Sequence, residues 1–85
     1  MMINVGAEFG THLESSEIAV ELIDILNKLP AEEFIIDFKD VTFVTMNYAQ
    51  AYYNAKYQSS KRISEINLSD EIIVVMGAAD EACNP

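Results

Sequence analysis

The stretch IIDFKDVTFVTMNYAQ, residues 35–50, decides the fold of this chain. Its apolar beginning predicts the end of a central strand, Glu33 to Phe38, that is covered on both faces of the sheet. A short connection follows, and Asn47 is a good N-cap for a helix that we expect from Tyr48 to Arg62. The stretch therefore predicts a strand, a loop and a helix. It delivers a polar cluster to a helix N-terminus, where a small α/β domain can build a recognition site.

The N-terminal segment predicts a first strand with one buried face. Apolar residues alternate with other types there, which is the period of a half-buried strand: Ile3, Val5, Ala7 and Phe9. Gly6 and Gly10 weaken this pattern, because glycine in a strand often marks a bulge or a hairpin turn. Two short antiparallel strands are therefore an alternative.

A first helix is predicted next, ending at about Leu29 before Pro30. Thr11 to Glu14 has the spacing of a capping box, and Ser15 or Ser16 are alternative caps. The expected apolar stripe consists of Ile18, Leu22, Ile25, Leu26 and Leu29. The opposite face is acidic and consists of Glu14, Glu17, Glu21 and Asp24. This acidic face is either a solvated helix surface or a docking face for a basic partner.

The C-terminal third predicts a third strand. Val41, Phe43 and Val44 should anchor the loop before the second helix, and residues 63–68 should form a packed connection after it. The third strand is expected over Glu71 to Met76, because this run is β-branched and apolar. Gly77 would end the strand, and residues 78–85 would form a short tail that is frayed or makes one helical turn. We thus expect one domain, residues 1–85, of the α/β class, with a β-α-β-α-β core and helices packed on a mostly parallel or mixed sheet.

Composition narrows the classes of partner. The chain has 14 acidic and 5 basic residues and a net charge of −9. Nucleic acids and anionic membranes need clustered positive charge, so neither is an expected partner. The charge fits a partner with a basic surface, or serves solubility alone. The one cysteine, Cys83, excludes an internal disulfide. With no signal peptide and no apolar run longer than residues 72–79, we expect a cytoplasmic location.

Few residues suit catalysis. His12 is the one histidine, and no zinc spacing, phosphate loop or dinucleotide motif is present, so we expect a protein that is not an enzyme and holds no metal or cofactor. Asp37, at the end of an apolar strand, is interpreted as a structural carboxylate that accepts hydrogen bonds from the following loop or lies near a helix N-terminus. A cation site shared with Asp40 is the less favoured alternative.

One helix carries four tyrosines, Tyr48, Tyr52, Tyr53 and Tyr57. They cannot all face inward on a single helix, so some should lie at the surface. Exposed tyrosine is frequent at protein interfaces, although a phenol can also simply reach water with its polar tip.

The chain resembles the STAS-like domains of unknown function that are found in bacteria and phages. The resemblance covers nearly the whole chain through Phe9-Gly10, Ser15-Ser16, Ile36-Asp37-Phe38 and residues 45–51. It implies the fold of the anti-sigma-factor antagonists, which bind a kinase-like ATPase and are switched by phosphorylation of a serine at a helix N-terminus. Met46 stands at that serine position here, so the resemblance implies a member without the usual switch. Thr45 could replace the serine only in a register shifted by one residue.

These observations together predict a regulatory domain that acts through protein–protein contact. The predicted contact surface lies beside the acidic first helix and consists of Thr45, Met46, Asn47, Tyr48 and Gln50. The partner would be a kinase-like ATPase or another regulator. Two alternatives remain: a module that binds a nucleotide or another small ligand, and a homo-oligomer joined through the tyrosine face.

Overall fold

The structure is a computed structural model, and it describes residues 1–84. In chain order its elements are β1 (Met2–Asn4), α1 (Val5–Phe9), β2 (His12–Leu13), α2 (Ser16–Lys28), β3 (Glu33–Asp37), β4 (Phe43–Val44), α3 (Met46–Gln58), β5 (Arg62–Ile66) and α4 (Asp70–Cys83). Strands β1, β3 and β5 form an all-parallel sheet with β3 in the centre. Strands β2 and β4 form a separate parallel pair. The predicted α/β class, with helices packed on a mostly parallel sheet, is confirmed.

The helices cover one face of the sheet. Phe34 and Ile36 of β3 point to the helices and are buried, whereas Ile35 between them is 36% exposed. Ile35 lies beside Met2 of β1 and Ser64 of β5, and both of these are also exposed. The prediction that the central strand is covered on both faces is therefore wrong. Helix α3 packs between α2 and α4 in the helical layer.

Helix α2 follows its prediction closely, because a cap and a helical apolar period agree there. Ser15 is the N-cap, and its hydroxyl accepts a hydrogen bond from the Ile18 amide at 3.3 Å. The buried positions are Ala19, Leu22, Ile23 and Leu26. Ile25, placed in the stripe by the sequence, is 42% exposed, so the buried face is rotated from the predicted one.

The N-terminal prediction is wrong after Asn4. The Asn4 side chain accepts a hydrogen bond from the Ala7 amide at 3.0 Å and caps α1, so the chain turns into a helix where alternation predicted a strand. Gly10, at φ 98°, ends this turn in a conformation that favours glycine. The antiparallel alternative is also wrong, because β2 pairs in parallel with β4.

The predictions for the C-terminal third are wrong: residues 62–66 form a strand, and the predicted strand lies in a helix. The third strand of the sheet is β5, which the sequence had assigned to the end of a helix and a connection. The predicted strand Glu71 to Met76 lies inside α4, whose N-cap Ser69 accepts a hydrogen bond from the Ile72 amide at 3.4 Å. The predicted tail is helical as far as Cys83, and its last residue, Pro85, lies outside the described residues. Among residues 1–84, no helix has the length and apolarity needed to cross a membrane.

Candidate functional site

Two helices begin side by side at one end of the molecule. Strand β2 leads through Ser15 into α2, and its neighbour β4 leads through Thr45 into α3. Thr45 ties the two together, because its amide donates to the Leu13 carbonyl at 3.0 Å and its hydroxyl donates to the Glu14 carbonyl at 2.6 Å. The same hydroxyl accepts a hydrogen bond from the Tyr48 amide at 3.2 Å. Thr45, and not Asn47 as predicted, is therefore the cap of α3.

Starting the helix at Met46 decides which predicted contact residues reach the surface. Met46 is 41% exposed, and Asn47 and Gln50 are also exposed. Tyr48 is completely buried, and Thr45 is half-buried and occupied by its capping hydrogen bonds. The structure therefore brings three of the five predicted contact residues together on one exposed surface and assigns the other two to the fold.

An exposed aromatic pair that the sequence did not suggest lies in the strands that lead into these helices. Phe43 of β4 was expected in the core but is 47% exposed, and its ring meets the edge of His12 at a centroid distance of 5.9 Å. The pair follows from the parallel register, which sets His12 opposite Phe43. We call Phe43, Met46, Asn47 and Gln50, with His12, the α3 surface. Glu14 and Glu17, at the start of α2, are exposed. The α3 surface thus combines apolar and amide side chains near acidic residues.

Asp37 ends β3 and is only 5% exposed. Its carboxylate accepts hydrogen bonds from the Asn67 side chain at 3.0 Å and from the Lys39 amide at 2.9 Å, the latter in the loop where the sequence predicted a donor. These hydrogen bonds, Asn67 first, lower the pKa of Asp37 below its usual value of 3.8. Asp40 bonds instead to the Asn4 side chain at 2.8 Å. In the described part of the chain, no group of three or more His, Cys, Asp or Glu side chains is placed to hold a metal ion.

We expect Asp37→Asn to reduce the free energy of unfolding at pH 7, with a difference from wild type that becomes smaller in acid. Because the folded-state pKa lies below 3.8, the contribution of the carboxylate is complete above that value and is lost as the pH falls through the lowered pKa. Urea unfolding between pH 7 and pH 3 would measure this. The stability difference between wild type and Asp37→Asn should be smaller when Asn67 is also replaced by glycine. This replacement removes the side chain that lowers the pKa of Asp37 most, and glycine accepts the positive φ of 58° at position 67. Equal stability of wild type and variant at pH 7 would contradict the assignment.

Three of the four tyrosines of α3 form core. Tyr48 and Tyr52 are fully buried, Tyr53 is 4% exposed, and of the four only Tyr57, at 38%, reaches the surface. Packing of α3 between α2 and α4 explains this burial, together with contact between Tyr52 and Glu65 of β5. The prediction that the four tyrosines do not all face inward is confirmed, but Tyr57 is the one among them that is exposed.

A charged network joins α3 to β5, and the sequence did not suggest it because β5 was not predicted. Tyr52 donates to the Glu65 carboxylate at 2.6 Å, and Lys56 donates to the same oxygen at 2.9 Å. The Lys56 ammonium also lies 5.4 Å from the centre of the Tyr53 ring. Burial, and then the Glu65 charge, raise the pKa values of Tyr52 and Tyr53. These phenols therefore stay protonated near neutral pH and act as hydrogen-bond donors and packing groups.

The hydroxyl of Tyr48 is buried and has no hydrogen-bond partner among residues 1–84. Tyr48→Phe should therefore leave the free energy of unfolding unchanged or raise it by up to about 1 kcal/mol, because it removes an unsatisfied polar atom. Tyr52→Phe is the matched control, since it removes a hydroxyl that is bonded to a carboxylate, and it should cost about 1.5–2 kcal/mol. Chemical denaturation of both variants would measure the contrast, and a larger loss from Tyr48→Phe would contradict it.

Comparison of the chain with protein-family models, with curated proteins and with solved structures found no match.

Proposed function

We propose that this chain is a non-enzymatic, STAS-like regulatory domain that binds a protein partner through the α3 surface. The observation that carries the proposal is the exposure of Met46, Asn47 and Gln50 together at the start of α3. The Thr45 cap fixes this helix start against the residue that precedes α2. A preorganised surface loses little conformational freedom on binding, and this favours specific association.

The order of elements supports the STAS-like part of the proposal. The parallel sheet β1–β3–β5 has a β-α-β-α-β connection, although its third strand is β5 and not the predicted residues 71–76, and α3 is the helix that follows its second strand. The resemblance assigns the phosphorylated serine to the beginning of this helix, and Met46 is its first residue. A phosphate on Thr45 would remove the hydroxyl proton that is donated to the Glu14 carbonyl, and so break the hydrogen bond between the two helix starts. We therefore propose regulation by binding and not by phosphorylation of this helix start.

The charge of the chain indicates the chemistry of the partner. Exposed Phe43 and Met46 give the α3 surface apolar atoms, and Glu14 and Glu17 add negative charge nearby. Interfaces commonly combine an apolar centre with a polar rim, and opposite charge accelerates the encounter. A partner with an apolar patch bordered by lysine or arginine fits this surface. A kinase-like ATPase or another regulator with such a patch is the partner that the resemblance implies.

Affinity capture from cells that make the protein tests the proposal. Wild type should retain a stoichiometric partner, and Met46→Glu should lose it, because a charge replaces an apolar contact atom. Val20→Glu is the matched control, since Val20 lies on α2 and is 47% exposed, close to the 41% of Met46. Thr45 and Tyr48 are unsuitable positions because they support the fold. Equal capture by Met46→Glu and wild type would contradict the proposed surface.

A further inference from the structure

The central part of helix α4 is apolar around its whole circumference. Its residues 72–79, Ile-Ile-Val-Val-Met-Gly-Ala-Ala, contain no polar side chain. Eight residues make more than two turns of helix, so this run leaves no polar side over that length. A helix of this kind in a globular protein is ordinarily buried on all sides.

Only one side of α4 is covered in this structure. Ile72, Met76 and Ala79 are buried in the core, at 1% exposure or less. On the outward side, Ile73 is 52% and Val74 is 71% exposed, and one turn later Gly77 and Ala78 are exposed as well. We call Ile73, Val74, Gly77 and Ala78 the α4 face. Single exposed aliphatic residues are common, but a two-turn face without a polar group indicates a contact surface.

The surroundings of the α4 face allow a second element to pack closely. A groove of about 200 Å³ lies between α4 and β4, and the exposed Phe43 ring borders it. A second groove of about 190 Å³ lies on the other flank, against Leu68. At Gly77 the helix backbone is open, because a β-carbon there would meet no atom within 4 Å. A helix laid across Gly77 could therefore approach the α4 backbone closely.

The charged side chains of α4 itself are of one sign. Asp70 and Glu71 are exposed in the first turn of α4, Glu81 is exposed near its end, and the sequence of α4 contains no lysine, arginine or histidine. The neighbouring basic residues have partners of their own. Lys56 pairs with Glu65, Arg62 pairs with Glu33, and Lys61 donates to the carbonyls of residues 29 and 31. The α4 face is thus apolar in the centre and acidic at both ends.

This charge pattern discriminates between occupants. A second copy of the chain would bring another acidic rim and another net charge of −9 against the first. Like charges placed opposite each other oppose association, whereas lysine or arginine beside an apolar stripe would complement both parts of the face. An amphipathic helix with a basic border has this pattern, and it binds through apolar residues spaced by three and four positions.

We propose that the α4 face docks a basic amphipathic helix of a partner protein. The site stands on observations separate from those that carry the α3 surface, although Phe43 borders both. The apolar stripe of the bound helix would cover Ile73 and Val74 and cross at Gly77. Its basic residues would lie near Glu71 at one end and Glu81 at the other.

A synthetic amphipathic helix of leucine and lysine, labelled with fluorescein, is a suitable probe for this site. Fluorescence anisotropy at physiological ionic strength should show binding to wild type. Val74→Ser should weaken the affinity by at least about tenfold, because one buried aliphatic side chain is worth about that factor. Val20→Ser is the matched control, since Val20 is an exposed valine among acidic residues of α2, and it should leave the affinity unchanged.

Charge variants and amide shift mapping complete the test. The double variant Glu71→Gln/Glu81→Gln should bind the probe more weakly than wild type. The double variant Glu17→Gln/Glu21→Gln removes the same charge from α2 and should bind it normally. On the wild-type protein, which needs no folding control, the probe should shift amide resonances of α4 and β4.

Equal binding by all variants, shifts confined to α2, or absence of binding would overturn the proposal. A wild-type dimer that Val74→Ser converts to monomer would also overturn it, by making a second copy the occupant. Met46→Glu should bind the probe normally, so failure of this site and failure of the α3 surface are distinguishable.

Discussion

Replacing Glu65 by alanine is expected to lower the free energy of unfolding by about 3 kcal/mol, a value typical of breaking a buried, hydrogen-bonded charge pair. The change leaves the Tyr52 hydroxyl, which is fully buried, without its carboxylate acceptor. It also leaves Lys56, whose side chain is only 18% exposed, without its counter-charge. Both losses act on groups that water reaches poorly, so neither is readily compensated.

The control for this prediction is an exposed ion pair. It joins neighbouring positions of strands β3 and β5. Glu33 pairs with Arg62 at 3.0 Å, but their side chains are 68% and 84% exposed. Glu33→Ala should therefore cost less than about 0.5 kcal/mol, because solvent screens exposed pairs. Urea denaturation of the two variants measures the difference. Similar losses from both would show that the Glu65 network is not the desolvated cluster described here.

Replacing Gly6 by alanine is expected to destabilise the fold by about 2–3 kcal/mol, at the upper end of what overpacking costs. A β-carbon at Gly6 would lie 2.8 Å from the Asp40 β-carbon and 3.1 Å from the Asp40 carbonyl carbon. Asp40 cannot move away without loss of a hydrogen bond, because its carboxylate accepts one from Asn4, the N-cap of the helix that contains Gly6. The close approach of α1 to the loop after β3 therefore requires glycine.

Gly77→Ala is the matched control, because Gly77 also lies inside a helix but has open space where the β-carbon would be. Alanine there should raise stability by about 0.5–1 kcal/mol through its better helix propensity. Thermal or urea unfolding should thus show changes of opposite sign for the two substitutions. Changes of the same sign would contradict the packing described for Gly6.

The parts of the fold that the sequence predicted well are those where several local signals agree. In α2, a serine cap, a helical apolar period and a terminal proline indicate the same element. In β3, a short apolar run is followed by polar residues at positions 39 and 40, and this pattern indicates a strand that ends in a turn. Helix α4 was missed because an apolar run of four β-branched residues is compatible with either a strand or a buried helix. Ser69, Asp70 and Glu71 before that run are typical of a helix start and were the available signal.

Only part of the predicted contact surface is exposed, because the buried face of α3 includes one of its residues. Tyr48 lies four residues before Tyr52 and therefore on the same face of α3, which is buried. Met46 and Asn47 lie outside this face and are exposed. Phe43 was missed for another reason: its exposure depends on the pairing of β2 with β4, two strands of two residues that no local pattern reveals.

Site-specific photo-cross-linking is the most direct test of the proposed function. A p-benzoylphenylalanine residue would replace Met46 in one version of the protein and Val20 in another, both at exposed helix positions. After irradiation of cells that make the protein, we expect a discrete covalent adduct with one partner protein from position 46 and none from position 20. An absence of adducts at position 46, or the same adducts from both positions, would contradict recognition through the α3 surface.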